Sequence, residues 1–453
     1  MVKRKTVMIL VLAISVLFAS CTSSDYVHVI PKKCTALVSI DATAMGSQAK
    51  LGKNAGPLLS LLQVTDPADC GIDFGSKVYL FETQDGTFGM TAKVSSSSKL
   101  GVCLEKLSQK GVGLPLLDKR GFKFTVINGK WVVGFSNQAI LAMGPALSNE
   151  QPSLILKMSR YLSQDEKQSI VGTPMFDKVD SIQSGVAMVV QAQALPEKLV
   201  SLFTLGTPKN ANPSQIAIAA RINVEDNTLK IFGETFSFNE RINESLRQSS
   251  VVFRPIQGNY SCLAESSRLF SLFMNVDGKQ FLPLLRQDKS LQSLLMGMNT
   301  AIDMDNIIKS IDGDVVFATD NMDVEHLSLS MGAHMSSLSF VNDIGYWKQS
   351  CPKGSSIVDW QKDSWLFTNG KQNFYFGVKA GRPSIFYSGT DPQSAMRMCI
   401  QPSESSKESL QYQGEKMVAV INIEKIDNEV VTTFVSLLEP VFGKLSSIVY
   451  YRK

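Results

Sequence analysis

Three histidines, seven cysteines and the Ser-x-x-Lys run at Ser96 are groups in this 453-residue chain whose types could carry chemistry. His28, His326 and His334 would need a third donor to hold a metal, and no His-Glu-x-x-His or Cys-x-x-Cys spacing supplies one. His326 shares a face of an alternating strand with Ser328 and Ser330, and His334 follows just after, so both read as exposed sheet residues. Ser96 to Lys99 has the spacing of an acyl-enzyme serine and lysine. Without a Lys-Thr-Gly downstream, the serine run reads instead as a helix cap. The acidic stretch Asp303 to Asp314 places Ile307 and Ile308 where a calcium loop needs oxygen donors, and reads as a helix end turning into a strand. There is no Gly-x-Ser-x-Gly elbow and no phosphate-cradling loop. No catalytic residue, metal or cofactor is expected.

The remaining candidate is Cys21, and the elements around it say why. Lys3, Arg4 and Lys5 precede an apolar run from Val7 to Phe18, about a dozen residues and too short for the roughly 20 that cross a bilayer. Residues 1–20 therefore read as an export signal. Phe18-Ala19-Ser20-Cys21 resembles the bacterial lipobox, with Phe18 where that pattern prefers Leu. The resemblance implies cleavage before Cys21, diacylglycerol on its sulfur and a further acyl group on its new amine. The competing reading is ordinary cleavage near Ala19 with a free thiol. Two or more acyl chains anchor stably, so the expected partner is a membrane, with residues 21–27 as the tether.

The next stretch, "DYVHVIPKKCTALVSID", resembles the start of uncharacterised lipoproteins of Bacteroidota-type bacteria. The matching positions are Asp25, Tyr26, Ile30, Pro31, Ala36, Val38, Ser39 and Asp41, while Cys34 replaces a more usual small or acidic residue. The resemblance implies a bacterial cell-envelope location, at the outer membrane with its face left open, and no defined activity.

The formal charge is +4, and three of those cations leave with the signal, so the mature chain is nearly neutral. That excludes a general electrostatic case for nucleic acid. Cys34, Cys70, Cys103, Cys262, Cys351 and Cys399 allow 15 pairings that spacing does not decide. Several lie in apolar runs and read equally well as buried thiols.

The chain also matches itself at a period of about 235 residues. Lys77 to Val94 aligns with Asp314 to Met331, each a strand, a turn and an alternating return strand in which Phe88, Met90, Ala92 and Val94 are answered by Glu325, Leu327, Leu329 and Met331. Gly185 to Phe203 resembles Met417 to Glu439, each a strand followed by an apolar-periodic helix. The expected organisation is therefore two homologous halves, 28–250 and 251–453. The expected class is α+β, mainly antiparallel hairpins with helices on one face. The hairpin around Asn128-Gly129 is the clearest. The hairpin from Ile216 to Phe236 has only Ser446 to Lys453 as its counterpart, so the second half looks shortened and its sheet edge in need of cover. The polar stretches 204–215, 352–364 and 401–416 read as loops.

Aromatic residues cluster in the second half, where Tyr346, Trp347, Trp360 and Trp365 form a candidate binding patch for sugar rings or a protein partner. Ordinary core packing is the competing reading for them. The expected function is a membrane-anchored, non-enzymatic binding or scaffolding module. The alternative is an envelope or polysaccharide hydrolase using carboxylates that the fold brings together.

Overall fold

Asn128 and Gly129 take left-handed backbone angles, φ 51° and 67°, which Asn and Gly adopt at little cost in a hairpin turn. The computed structural model describes residues 24–44, 70–195, 211–260, 268–287, 301–321, 328–399, 412–426 and 443–452, with a few isolated positions between them. The signal, Cys21, Cys262 and His326 lie outside the described residues.

In the first half the strands are β1 (Cys34–Ile40), β2 (Ile72–Asp73), β3 (Val78–Thr83), β4 (Phe88–Val94), β5 (Leu117–Lys119), β6 (Phe122–Ile127), β7 (Trp131–Phe135), β8 (Ala139–Gly144), β9 (Val186–Gln191), β10 (Ala217–Glu225) and β11 (Thr228–Phe236). In the second half they are β12 (Phe253–Arg254), β13 (Phe270–Asp277), β14 (Ile311–Thr319), β15 (Leu329–Met335), β16 (Ser356–Gln361), β17 (Ser364–Thr368), β18 (Asn373–Lys379), β19 (Ser384–Gly389), β20 (Met417–Asn422) and β21 (Ser447–Arg452).

Apart from the short flanking strands β2 and β12, these strands form one open sheet. From its outer edge inward the first half runs β5, β6, β7, β8, β4, β3, β1, β9, β10, all antiparallel. The second half runs β16, β17, β18, β19, β15, β14, β13, β20, β21, also antiparallel. The two halves thus repeat one strand order. They are joined by β11, the extra strand of the first half, which pairs in parallel with β21 from Thr228↔Ser447 to Gly233↔Arg452. At this join Phe232 stacks on Tyr451 with ring centroids 4.6 Å apart. Gly233 lies under the Tyr450 ring, where an added Cβ would come within 2.7 Å of it.

Eight α-helices lie among the described residues: α1 (Ser97–Gln109), α2 (Gln151–Leu162), α3 (Pro174–Ser181), α4 (Glu240–Ser250), α5 (Gly278–Leu285), α6 (Met304–Lys309), α7 (Ile344–Ser350) and α8 (Pro392–Arg397). α1 starts as its serine run dictates, with Ser96 Oγ accepting the Lys99 amide at 3.3 Å. Helices cover both faces of the sheet, not one. Leu100 and Leu104 of α1, Phe281 of α5, Ile307 of α6 and Trp347 of α7 share a single core with Val38 and Ile40, running across both halves. Leu154 and Met158 of α2 and Val179 of α3 bury Leu37 on the opposite face. The physical reason lies in the central strands. Ala139–Gly144 and Val186–Val190 are apolar runs buried on both sides, and a strand with no polar face must be covered twice.

Candidate functional site

The free edge of the second half carries the candidate site. Alternation along β16 to β18 divides their side chains between the two sheet faces. Ile357, Trp365 and Phe376 turn into the shared core, with Phe367 and Phe374 packed beside them. On the other face Val358 sits opposite Leu366, which sits opposite Tyr375, giving a row across three strands. Trp360 meets Tyr375 edge to face, ring centroids 4.9 Å apart and planes at 69°, a favoured aromatic arrangement. Trp360, Leu366 and Tyr375 are half-buried, and Val358 is 47% exposed. Among the described residues the helix on this face is the six-residue α8, which packs chiefly on β19. The first half puts the twelve-residue α2 on the corresponding strands β6 to β8.

The four aromatics expected to form one patch do not. Trp347 and Trp365 are 4% and 7% exposed and belong to the core shared by both halves. Trp347 stacks on Phe340 and Trp365 packs against Phe376. Tyr346 is 70% exposed, but it stands on α7, on the sheet face opposite Trp360. Helical and strand periodicity explain the split, because neighbours in sequence point to different sides. Trp360 is left with Tyr375, and with Val358 and Leu366, two aliphatic residues that sequence reasoning had not grouped with it. The strand that carries Val358 and Trp360 was itself expected to be part of a loop spanning 352–364. As an edge strand with solvent on one face, it holds enough Ser, Asp and Gln to hide its alternation.

Cations border this face. Residues 344–399 hold seven Lys or Arg against three Asp and no Glu. Lys348 pairs with Asp359 at 2.6 Å. Lys353, Lys362, Lys371, Arg382 and Arg397 are exposed. A flat apolar row among cations can stack rings and attract negative charge.

A second cluster is polar and sealed. Asp314 on β14, 1% exposed, accepts the backbone N–H groups of Gln257, Gly258 and Asn259 at 2.8, 2.9 and 3.1 Å and the Asn275 side-chain amide at 2.9 Å. Arg254 continues the network, donating to Asn275 Oδ1 at 2.9 Å and pairing with Asp312 at 2.8 Å. His334 on β15 lies 5.2 Å from the Tyr260 ring. Gly313 (φ 141°) leaves it room, since an added Cβ would stand 2.9 Å from His334 Cβ. Its Nε2 and the Tyr260 hydroxyl are buried without a hydrogen-bond partner among the described residues. Burial pushes His334 below its ordinary value of 6.5, against the opposing pull of Asp314, and pushes the Tyr260 hydroxyl up. His334 is therefore not the exposed sheet residue expected from its serine neighbours, for Tyr260 and Met398 close over that face of β15. The cluster pins the segment 256–260 to the sheet, and its carboxylate is buried.

Residues 41–440 match the domain of unknown function DUF4836. The chain belongs to that family. No curated protein matches the sequence. Three crystal forms of TP0453 resemble it faintly. Forms I and IV are each 13% identical, with TM-scores of 0.28 and 0.29, and cover 46% of this chain and 75% and 79% of TP0453. Form III is 8% identical with a TM-score of 0.25, and covers 84% of this chain and 99% of TP0453. Likeness at that level carries no statement about fold or function.

Within the DUF4836 chain the remaining candidates are structural. Cys34 is buried and donates its thiol to Pro31 O at 3.0 Å, and burial pushes that thiol far up from its ordinary value. Cys70 and Cys103 are buried in the core beside Leu100, while Cys351 and Cys399 are half-buried. The acidic stretch from Asp303 forms α6 and enters β14, with Asp303 capping the helix through the Asn306 amide. No group of three or more His, Cys, Asp or Glu poised for a metal occurs among the described residues.

Proposed function

We propose that this DUF4836 chain is a non-enzymatic binding module of a bacterial cell envelope, held at the outer membrane by acyl groups on Cys21. One observation carries the binding half of this reading. The row Val358, Leu366, Tyr375, with Trp360 against it, is an apolar sheet face that, among the described residues, no helix covers to the extent that α2 covers its counterpart. A monomer left to itself buries such a row, and one that keeps it in water commonly offers it to a partner. Ring-stacking ligands, sugars among them, suit it because Trp and Tyr present large flat area at low entropy cost.

The attachment half rests on the basic start, the short apolar run and the residues before Cys21. Asp25, Tyr26, Ile30 and Pro31 support the Bacteroidota-type assignment, and they precede the span matched to DUF4836. Descent of the two halves from one duplicated unit is supported by their common strand order.

In cells fed radiolabelled palmitate, the wild-type chain should take up label and enter the detergent phase of a Triton X-114 partition. Cys21→Ser should do neither, and a labelled Cys21→Ser protein would end the anchoring idea. On a panel of immobilised neutral and acidic glycans, Trp360→Ala should lose retention that wild type shows. Equal retention of both proteins across the panel would end the binding idea.

A further inference from the structure

Resting on the binding reading above, we infer that the β16–β18 face takes an acidic polysaccharide, a chain of sugar rings bearing carboxylate or sulfate groups. Three observations carry this further than a general sugar site. The apolar row is flat: Trp360, Leu366 and Tyr375 are half-buried in the sheet surface, and only Val358 stands well clear of it. Insertion into lipid wants protruding apolar groups, whereas a flat row suits the faces of pyranose rings. The exposed cations sit at both ends of the strands. Lys362 lies in the β16–β17 turn, and Arg382 follows β18 at that same end, where the Val378 amide reaches Asp363 O at 3.0 Å. Lys353 and Lys371 lie at the other end, before β16 and in the β17–β18 turn. β18 runs for seven residues, or about 20 Å at strand rise, so the positive charge is spread over several sugar lengths and not focused on one small anion. The surplus of seven cations over three acids between residues 344 and 399 belongs to a mature chain that is nearly neutral, so this charge is local and not general to the chain. A polymer repeating ring and anion meets both features at once.

The other end of the sheet supplies the control. Lys119, Lys123 and Lys130 make that end cationic too, yet α2 covers its reverse face. Charge alone would treat the two ends alike.

The test measures affinity of the full mature chain for polygalacturonate at low and high ionic strength. Polygalacturonate should bind at low salt and weaken as salt screens the charges. Replacing Trp360 with Ala should weaken binding about tenfold at every salt concentration, whereas Trp360→Phe should restore most of it. The triple variant Lys353→Glu, Lys362→Glu, Lys371→Glu should weaken binding about tenfold at low salt, with the difference closing at high salt. The matched reversal Lys119→Glu, Lys123→Glu, Lys130→Glu should leave binding unchanged. Equal loss from the two triple variants would overturn the inference. So would binding to phosphatidylglycerol vesicles with none to polygalacturonate. Trp360-dependent binding to a neutral glucan without any acidic preference would sink the inference but leave the binding reading intact. Absence of binding to either polymer would remove both.

Discussion

The two halves lay one segment at the same place, across the return strand of the central hairpin, and hold it by different means. In the first half it is the 3-10 turn Ser24–Val29, over β4. There Tyr26, Val27 and Val29 are all buried, the Tyr26 hydroxyl donates to Lys77 O at 2.8 Å, and Thr91 Oγ1 and Gln164 Nε2 donate singly to the Tyr26 and His28 carbonyls. In the second half it is 256–260, over β15, where Ile256 and Tyr260 are buried but Asp314 gathers three consecutive backbone amides. Apolar cover differs in the same direction. Among the described residues, the reverse face of the first half is packed by α2 and α3, and that of the second by α8 and a smaller cluster around Tyr260, Phe273 and Tyr387. A sheet face with less apolar cover leans on polar pins, and it keeps part of its surface available.

The sharpest way to break that contrast is to remove the pins. Asp314→Ala would leave three backbone N–H groups and the Asn275 amide without an acceptor in a dry site, at a cost of about 3–4 kcal/mol. Tyr26→Phe removes a single hydrogen bond from a segment held mainly by burial, at about 0.5–1.5 kcal/mol. Urea denaturation of both variants checks the ranking, with hydrogen exchange at 256–260 locating the loss. A cost for Asp314→Ala no greater than that for Tyr26→Phe would refute the contrast.

The covering helices give a second, smaller comparison. Met158 of α2 is fully buried, so Met158→Ala should cost about 2–5 kcal/mol. Met396 of α8 is 43% exposed, and Met396→Ala should stay within about 0.5 kcal/mol. Similar midpoints for the two variants in thermal unfolding would show that α8 covers its face as fully as α2 does.

Much of this architecture was legible in the sequence because hairpins are local. Asn128-Gly129, the Ser96 cap and the order of strands around each long hairpin follow from turn chemistry and alternation. Register was not legible. Alternation repeats every two residues, so aligning Phe88 and Met90 with Glu325 and Leu327 satisfies the pattern as well as any even shift. The return strand begins at Leu329, after a longer connection than the one between β3 and β4, and Glu325 and Leu327 lie outside the described residues. Nor does a sequence say which side of a strand is covered by a distant segment. His334 looks polar beside Ser330, and is buried because Tyr260, 74 positions earlier, and Met398 close over that face. The candidate site fell in the same blind spot. Trp360 lies on an edge strand whose solvent face reads as loop, and its partner Tyr375 comes from two strands away.

The smallest expected effect concerns acid, and it separates the halves by direction. His334 is held neutral by burial, with its pKa below 6.5 in the folded chain and near that value when unfolded. Above pH 6.5 neither state binds the proton, and the full stability is present. As pH falls below 6.5 the unfolded chain takes up the proton first, so stability drops, by at most about 1.4 kcal/mol per pH unit, until the folded pKa is passed. Glu82 on β3 works the opposite way. Burial raises its pKa above 4.5 despite the hydrogen bond from Thr35, so the folded state takes up the proton first and the first half gains as pH falls into that range. Trp131 lies in the first half and the other three tryptophans in the second, so fluorescence of single-tryptophan variants can follow each half separately. Between pH 7 and 5 the second-half signal should lose midpoint while the Trp131 signal moves less, and His334→Gln should flatten the second-half slope. An unchanged slope in His334→Gln would show that the sensitivity comes from another group, and that the polar pinning of this half is indifferent to the histidine buried beside it.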